Sequence, residues 1–431
     1  MRRIFSLGLA GLAALGFATF ASVSAKAGPS ILFDVQTGQV IESDNPHARW
    51  YPASLTKLMT TYVAFRAVQS GEVTFLSPVR MSRTAANEPP SKMGYRPGTV
   101  LTLDNALKII MVKSANDVAA AIGESLGGSM QGFADRMNAE AKRLGMTGSH
   151  WVNAHGLHDD DQYTTARDLG ILASALRREF PDYAGYFSIE GLAFGKQVIP
   201  SHNALVGVVE GADGMKTGYI CPAGYNLVAS ATRNGRTLMA VVIGATSVKA
   251  RNRAAAALLE RGFSTSGAGS LTLAALQLSD SGPGQATNMR ADLCTKAGST
   301  ALRKKERELA AKNKKEGKAL AEIADLPKRT RPRELVAISL GGATGPATPS
   351  VRAAFAEEAA IAAQAAENIR NKVAFARESA VVTKVAVAAA GKGAVLAKGD
   401  DGIPLPTWRP DLPAPAGTAP LMTQGDSAAI R

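Results

Sequence analysis

Three short segments hold residue types that could together transfer an acyl group through a serine. They are Ser54-Leu55-Thr56-Lys57, Ser114-Ala115-Asn116 and Lys216-Thr217-Gly218. They supply a hydroxyl with an amine three residues later, a second hydroxyl beside an amide, and a cation followed by a hydroxyl. Each pattern alone is short enough to occur by chance. Their combination predicts covalent catalysis that needs no histidine.

The pair Ser54 and Lys57 fits the start of an apolar helix, with both side chains on one face. A serine hydroxyl becomes nucleophilic when a base takes its proton, and a lysine amine is such a base where burial or a second cation lowers its pKa. Lys216 is a candidate for that cation. A helix start also directs backbone N–H groups at a developing oxyanion. For the isolated pattern, an N-cap serine and a solvated lysine are the simpler interpretation.

The second and third segments could provide proton transfer and substrate binding. Ser114 lies between two helical stretches, where its hydroxyl could relay a proton to a leaving amine and the Asn116 amide could bind a peptide group. Lys216 and Thr217 precede a predicted strand, where they can hold a carboxylate, and Gly218 allows another backbone to approach closely. Taken separately, a capped helix break and a basic turn are the better explanations.

The elements that must position these residues are strands at both ends of a segment and helices between them. Residues 30–43 and 224–244 each read as a hairpin, the second around the turn Asn234-Gly235. Helical periodicity covers residues 53–68, 105–113, 117–126, 130–144, 165–178 and 250–260. This layout predicts an α+β fold in which N- and C-terminal strands share one antiparallel sheet.

Residues 1–27 read as a secretory signal peptide. Arg2 and Arg3 precede an apolar run over residues 4–20, and Ala25-Lys26-Ala27 fits a small-x-small cleavage site. The run is short and contains several glycines, which favours cleavage over an uncleaved membrane anchor. We therefore expect export.

The composition changes after residue 263. Residues 264–431 are rich in Ala, Lys, Gly and Pro, and an Ala-rich stretch favours a helix near 353–377. Their low content of core-forming residues predicts a largely disordered extension, so that the folded enzyme would occupy residues 28–263. The formal net charge of +13 is best explained by a solvated basic surface, with contact between the basic extension and anionic wall polymer or lipid as a further hypothesis. No pattern indicates nucleic-acid binding.

Cysteine and histidine give little support for cross-links or metals. Cys221 and Cys294 could pair in an oxidising compartment, but they lie in segments of different character, so free thiols are equally compatible. The histidine- and aspartate-rich residues 155–161 could be imagined as a metal site, yet such loops are more often turns. We expect neither a metal nor a cofactor.

The longer strings around the three segments resemble the low-molecular-mass D-alanyl-D-alanine carboxypeptidases, a penicillin-binding family of serine peptidases. The strings are Pro52-Ala53-Ser54-Leu55-Thr56-Lys57-Leu58-Met59-Thr60, Ser114-Ala115-Asn116-Asp117-Val118-Ala119, Asp213-Gly214-Met215-Lys216-Thr217-Gly218 and Ala223-Gly224-Tyr225-Asn226-Leu227-Val228-Ala229-Ser230-Ala231. The resemblance runs over about residues 30–263. It implies the fold shared by DD-peptidases and β-lactamases, with β-lactams as inhibitors.

The resemblance also implies which residues carry the chemistry. Ser54 would be the acyl-ester nucleophile, with Lys57 as its general base. Ser114 would be the second catalytic serine. The main-chain N–H groups of Ser54 and Tyr219 would form the oxyanion hole.

Four further residues would bind substrate by the same resemblance. Asn116 would contact the substrate backbone, and Lys216 would shape the electrostatics of the site. Thr217 would bind the terminal carboxylate. Arg251, matched by its distance from Gly262-Phe263, would assist in recognising that carboxylate.

The activity implied by the family is removal of the terminal D-alanine from peptidoglycan pentapeptides, in the periplasm or peripherally at the inner membrane. A β-lactamase of the same fold is less favoured, because no Glu-x-x-x-Asn loop that could activate a deacylating water lies between Ser114 and Lys216. A D,D-endopeptidase stays open as an alternative. A non-catalytic wall-binding protein is disfavoured because all catalytic positions are intact.

Overall fold

The computed structural model describes residues 28–265, 269–276, 284–315 and 326–390; the predicted signal peptide lies outside them. The strands are β1 (Ser30–Asp34), β2 (Val40–Asp44), β3 (Pro78–Arg80), β4 (Val100–Thr102), β5 (Gly191–Phe194), β6 (Gln197–Pro200), β7 (Ala212–Ile220), β8 (Gly224–Arg233), β9 (Arg236–Ala245) and β10 (Leu335–Ala337). The α-helices are α1 (Thr56–Gln69), α2 (Arg83–Ala86), α3 (Leu103–Val112), α4 (Asn116–Gly127), α5 (Met130–Leu144), α6 (Ala166–Glu179), α7 (Val248–Ser264), α8 (Arg290–Cys294), α9 (Lys296–Lys315) and α10 (Pro349–Ala390). Two 3-10 helices span Ala53–Leu55 and Pro181–Phe187.

One antiparallel sheet unites strands from both ends of the segment that the sequence assigned to the enzyme. Its strand order is β2-β1-β9-β8-β7, and β1 pairs with β9. The hairpin between β8 and β9 turns at Asn234 and Gly235, whose positive φ angles of 50° and 77° suit these two residue types. The predicted α+β fold is therefore confirmed. β7, which carries the third motif, is the last strand of this order.

The helix that carries the first motif is buried on all sides. Buried residues occur at almost every position of α1 up to Ala67, which is typical of a central core helix. Phe65 on α1 lies in a cluster of aromatic rings whose centroids are 4.9 to 6.4 Å from its own, formed by Phe75, Phe180, Tyr183, Tyr186 and Phe187. This packing fixes the position of α1 and of the residues at its N-terminal end.

Several helices begin where a hydroxyl side chain can cap them. In each case the cap hydroxyl accepts a hydrogen bond from the amide three residues later, at Thr102, Ser129, Thr165 and Ser247. The helix that begins after Ser247 is longer than predicted, running to Ser264 rather than ending at residue 260. Caps thus set the starts of α3, α5, α6 and α7.

Part of the chain beyond residue 263 packs against the enzyme segment. β10 pairs in parallel with β5 in a small sheet of order β10-β5-β6. The buried Glu190 carboxylate accepts hydrogen bonds from Arg329 at 2.9 Å and from Arg331 at 2.5 Å. Ile338 and Val351 are buried. The sequence did not indicate these contacts, and the domain boundaries drawn from it remain a prediction.

The chain divides into two units, Met1–Ala359 and Ala360–Arg431. In the second unit the side chains of residues 360–374 on α10 are exposed. This helix includes residues 353–377, for which a helix was expected. Across the described ranges, we find no helix with the length and apolar character needed to span a bilayer.

Candidate active site

Ser54 lies in the 3-10 turn that leads into α1 and does not cap that helix. The N-cap residue of α1 is Leu55, and no side chain makes a cap hydrogen bond there. Lys57 lies one turn further on, and its Nζ is 3.1 Å from Ser54 Oγ. The structure therefore joins the two side chains directly, where the isolated pattern suggested a cap and a solvated lysine.

The amine of Lys57 is completely buried and surrounded by oxygen atoms. Nζ donates to Asn116 Oδ1 at 2.8 Å and to the main-chain oxygen of His155 at 2.6 Å. Burial, and after it the charge of Lys216, holds the pKa of Lys57 well below its ordinary range. A neutral amine has two hydrogens, which these two oxygens accept, and its lone pair is then free to take the Ser54 proton.

A second lysine–serine pair faces the first one. Ser114 lies between α3 and α4 with a φ of +61°, an uncommon value for a residue with a side chain. Lys216 on β7 is buried, and its Nζ donates to Ser114 Oγ at 2.8 Å and to the main-chain oxygen of Thr217 at 2.9 Å. Burial, and secondly the charge of Arg251, lowers the pKa of Lys216 to about 7. Ser114 is thus held beside a group that can exchange protons near neutral pH.

Both polar atoms of the Asn116 side chain have protein partners. Oδ1 accepts from Lys57, and Nδ2 donates to the main-chain oxygen of Pro89 at 2.9 Å. The main-chain N–H of Asn116 donates to the main-chain oxygen of Ser91 at 2.6 Å. Asn116 also lines the cleft, so the expected contact with substrate backbone stays open. The sequence did not indicate that the side-chain amide of Asn116 orients Lys57.

The strand β7 approaches the backbone of Ser54 closely. A β-carbon at Gly218 would lie 3.0 Å from the Ser54 amide nitrogen, so a side chain here would push the strand away. Asn226 on the neighbouring strand donates from Nδ2 to the main-chain oxygens of Tyr51 at 3.2 Å and Pro52 at 3.3 Å. The two expected oxyanion donors, the amides of Ser54 and Tyr219, belong to these adjoining backbones.

A cleft of about 750 Å³ opens over the two serines. Arg251, in the first turn of α7, and Thr217 both line it, and burial lowers the pKa of Arg251 to about 10. The other lining residues are Ser54, Pro90, Ser91, Lys113, Ser114, Asn116, Gly156, Leu157, His202, Gly218, Tyr219, Ile220, Tyr225 and Val248. None of these described residues is acidic. The cleft therefore suits a ligand that carries a carboxylate.

His202 lines the cleft, and the sequence did not indicate it as a site residue. Burial, with the nearby cations Lys216, Lys113, Arg251 and Lys57 in that order, lowers the pKa of His202 to about 4. No pattern in the sequence marked His202, because it lies in a loop outside the motifs.

A second unrecognised group lies behind Lys57. His155 Nε2 is 3.4 Å from Glu88 Oε1, and burial lowers the pKa of this histidine. The Asp117 carboxylate accepts from the Met93 and Gly94 amides at 3.0 and 2.9 Å. The sequence showed the string beginning at His155, but it was interpreted as a turn in preference to a metal site and was not linked to Lys57.

Cys221 and Cys294 form a disulfide. Cys221 directly follows β7, and Cys294 ends α8. The Tyr219 hydroxyl is 3.4 Å from Cys294 Sγ, and its ring stacks on Tyr225 with 4.3 Å between centroids. The sequence left this pairing open, because it does not show that the chain after α7 returns to the cleft.

Comparisons with known proteins point to one family. The sequence profile described as D-alanyl-D-alanine carboxypeptidase matches residues 17–247. The chain is 34% identical over 238 residues to D-alanyl-D-alanine carboxypeptidase DacA of Haemophilus influenzae, covering 54% of this chain and 61% of that protein. It is also 34% identical to DacC of Escherichia coli, covering 54% and 60%. The chain thus spans about three fifths of the length of these curated relatives.

Solved structures agree with this result. Carboxypeptidase DacD from Francisella tularensis superposes with a TM-score of 0.55 at 29% identity, covering 57% of this chain and 72% of that one. Penicillin binding protein 5 from Haemophilus influenzae gives 0.53 at 33%, covering 55% and 71%. Penicillin-Binding Protein D2 from Listeria monocytogenes, solved in the cefotaxime bound form, gives 0.51 at 29%, covering 55% and 97%. Because the profile matches more than half of the chain, the protein belongs to the D-alanyl-D-alanine carboxypeptidase family of serine peptidases.

Proposed function

We propose that this protein is an exported serine D-Ala-D-Ala carboxypeptidase that trims the terminal D-alanine from peptidoglycan stem peptides. One observation carries the proposal: the pairs Lys57–Ser54 and Lys216–Ser114 face a single cleft lined by Thr217. The family membership and the relatives named as carboxypeptidases support it.

In the acylation step, Ser54 Oγ attacks the carbonyl carbon between the two D-alanines while the Lys57 amine takes its proton. The amides of Ser54 and Tyr219 stabilise the resulting oxyanion. The C–N bond then breaks, and the leaving amine receives a proton from the Ser114 hydroxyl, which Lys216 re-protonates. Water next attacks the ester carbonyl and gives a proton to the neutral Lys216 amine through Ser114. The ester C–O bond then breaks as the Lys57 ammonium returns its proton to Ser54 Oγ, which releases the acid and restores both lysines.

Recognition of the substrate carboxylate falls to Thr217 and Arg251. Both residues line the cleft, and both are buried. A buried guanidinium forms strong charge-assisted hydrogen bonds with a carboxylate because water screens them little. A β-lactam carries a carboxylate beside a reactive amide, so we expect it to acylate Ser54 and to be released slowly.

The same cleft argues against β-lactamase activity. A β-lactamase of this fold uses a carboxylate to activate the water that frees the enzyme. None of the described cleft-lining residues is acidic. We therefore expect nitrocefin to acylate Ser54 without rapid turnover.

The test is product analysis on a pentapeptide muropeptide and on a cross-linked dimer. We expect free D-alanine from the pentapeptide, and fluorescent penicillin labelling that Ser54→Ala abolishes and Ser43→Ala, at an exposed strand end, leaves intact. Labelling that survives Ser54→Ala would refute the proposal. Cleavage of the dimer in preference to the pentapeptide would make the enzyme an endopeptidase instead.

The proposal includes a location outside the cytoplasmic membrane, in the periplasm. The disulfide Cys221–Cys294 supports it, because such bonds persist in oxidising compartments. Helix α9 is rich in lysine and arginine, which supports an electrostatic contact with anionic wall polymer or lipid. Salt-sensitive binding of the full-length protein to purified sacculi or anionic vesicles would test that contact, and binding that is unchanged in high salt would contradict it.

A further inference from the structure

The disulfide belongs to a segment that touches both sides of the active-site backbone. We call residues 284–294 the clip. The Thr287 amide donates to the Arg49 main-chain oxygen at 3.2 Å, and an isolated parallel bridge joins Thr287 to Trp50. The Arg49 guanidinium donates to the Gly284 oxygen at 3.4 Å. The first half of the clip is thereby attached to the chain that leads into Ser54.

The second half of the clip is attached to the turn that follows β7. The Met289 amide donates to the Pro222 oxygen at 2.9 Å, and the disulfide joins Cys294 to Cys221. Beyond the clip, the Trp50 indole N–H donates to the Ala223 oxygen at 2.7 Å. The clip is therefore joined to the backbone before Ser54 by hydrogen bonds, and to the turn after β7 by a hydrogen bond and the disulfide.

Each attached backbone leads within a few residues to one donor of the oxyanion hole in the proposed function. Trp50 is close before Ser54 in the sequence, and Tyr219 comes just before Cys221. The close approach at Gly218, where a β-carbon would lie 3.0 Å from the Ser54 amide, shows how little space separates these backbones. A small shift of one backbone against the other would therefore change the distance between the two N–H groups.

We propose that the Cys221–Cys294 clip is a positioning device that sets the distance between the Ser54 and Tyr219 amides of the oxyanion hole. This inference rests on the proposed function, because it assigns the clip to that reaction. Neither cysteine lines the cleft, although the Tyr219 hydroxyl lies 3.4 Å from Cys294 Sγ. The two cysteines therefore act on the reaction through Tyr219 and the backbone.

Such a device has a kinetic signature that a merely structural cross-link lacks. Oxyanion donors bind the tetrahedral oxygen more strongly than the ground-state carbonyl, so misplacing them slows the chemical step and leaves substrate binding largely unchanged. Complete loss of one donor costs about 10²- to 10³-fold in kcat. Because removing the cross-link shifts a donor without deleting it, we expect a smaller loss, of about tenfold.

The experiment compares wild-type protein with the full-length double variant Cys221→Ser/Cys294→Ser. D-Alanine release from diacetyl-L-lysyl-D-alanyl-D-alanine gives kcat and KM, and fluorescent penicillin gives the acylation rate of Ser54. We expect kcat and the acylation rate to fall about tenfold, with KM within about a factor of two. An unchanged kcat, or a raised KM with unchanged kcat, overturns the proposal.

Two controls separate positioning from loss of fold. Reduction of wild-type protein with a phosphine should reproduce the kinetic change and reoxidation should reverse it, while the same phosphine should leave the double variant unaffected. These measurements are made below the unfolding temperature found for each form by circular dichroism. A wild-type protein that reacts with neither substrate nor penicillin would refute the proposed function together with the clip. A reactive wild type that its double variant matches refutes the clip alone.

Discussion

Replacing the neutral amide of Asn116 by a carboxylate tests whether Lys57 is the base. Asn116 Oδ1 is 2.8 Å from Lys57 Nζ, so Asn116→Asp puts a negative charge beside the amine without adding volume. An adjacent negative charge favours the ammonium form and raises the pKa of Lys57. The lone pair that should take the Ser54 proton then stays protonated up to a higher pH.

The size of the effect follows from the distance. A carboxylate spreads its charge over two oxygens, so a charge separation of about 4 Å is appropriate, and at an effective dielectric constant of about 20 the interaction is about 4 kcal/mol. At about 1.4 kcal/mol for each factor of ten, the ratio of neutral amine to ammonium at a given pH falls about a thousandfold. The positive charge of Lys216 opposes this rise in the pKa of Lys57. The substitution also removes the hydrogen bond from Asn116 Nδ2 to the main-chain oxygen of Pro89. We therefore expect the acylation rate to fall by about 10² to 10³ at pH values below the pKa of the wild-type amine, and by less at higher pH.

The assay is the rate of Ser54 acylation by fluorescent penicillin between pH 5 and 10. Since the neutral amine is the reactive form, the rate should rise with pH, and in Asn116→Asp the rise should move to higher pH. The matched control is Asn138→Asp, which likewise loses a side-chain donor to a main-chain oxygen, that of Trp151 at 2.8 Å, away from the cleft. An Asn116→Asp pH profile that coincides with that of the wild type would refute Lys57 as the base.

Three further predictions concern recognition and stability. Arg251→Gln should raise KM for the D-Ala-D-Ala peptide about 10- to 150-fold because it removes a charged hydrogen-bond donor. It should also raise the pKa of Lys216 above about 7, since the charge of Arg251 lowers it. Steady-state kinetics as a function of pH measure both effects, and an unchanged KM would show that Arg251 does not bind the carboxylate. Burial raises the pKa of Glu190, but hydrogen bonds from the Glu334 amide and Arg331, together with the charges of Arg329 and Arg331, lower it below its ordinary value. The Glu190 carboxylate therefore stabilises the fold at pH values above its pKa in the unfolded chain. This stabilisation is lost as the pH falls through its pKa in the folded protein. Glu190→Gln should thus speed limited proteolysis near residues 326–337 at pH 7, and equal cleavage rates would contradict this. Phe65→Ala should lower the free energy of unfolding, measured by urea titration, by about 3–5 kcal/mol. Leu76 is 52% exposed, so Leu76→Ala should change this free energy by about 0.5 kcal/mol or less. A similar loss in both variants would contradict the packing argument.

The sequence could predict which motif residues meet because they lie at fixed spacings on regular elements. Ser54 and Lys57 meet because one turn of helix separates them, and the hairpin at Asn234-Gly235 follows from the φ angles these residues tolerate. Family membership and the α+β fold are confirmed on that basis.

What the sequence did not reveal depends on contacts between distant segments. The carbonyl of His155 that holds Lys57 is a main-chain atom, which any residue type could supply. His202 reaches the cleft from a loop that has no periodicity. Cys221 and Cys294 are 73 residues apart, and the intervening composition gives no sign that the chain turns back. Such features follow from tertiary packing, to which local pattern is blind.

The short strand β10 has a consequence for any shortened form of this protein. β5 lies between β6 and β10, so a protein that stops at residue 263 would leave the β10-facing side of β5 without its ladder of hydrogen bonds. Open strand edges recruit strands from other molecules, and Leu192 on β5 is completely buried in the full chain. We therefore expect a version cut at the compositional boundary to self-associate, whereas one that keeps residues up to 359 should stay monodisperse in gel filtration.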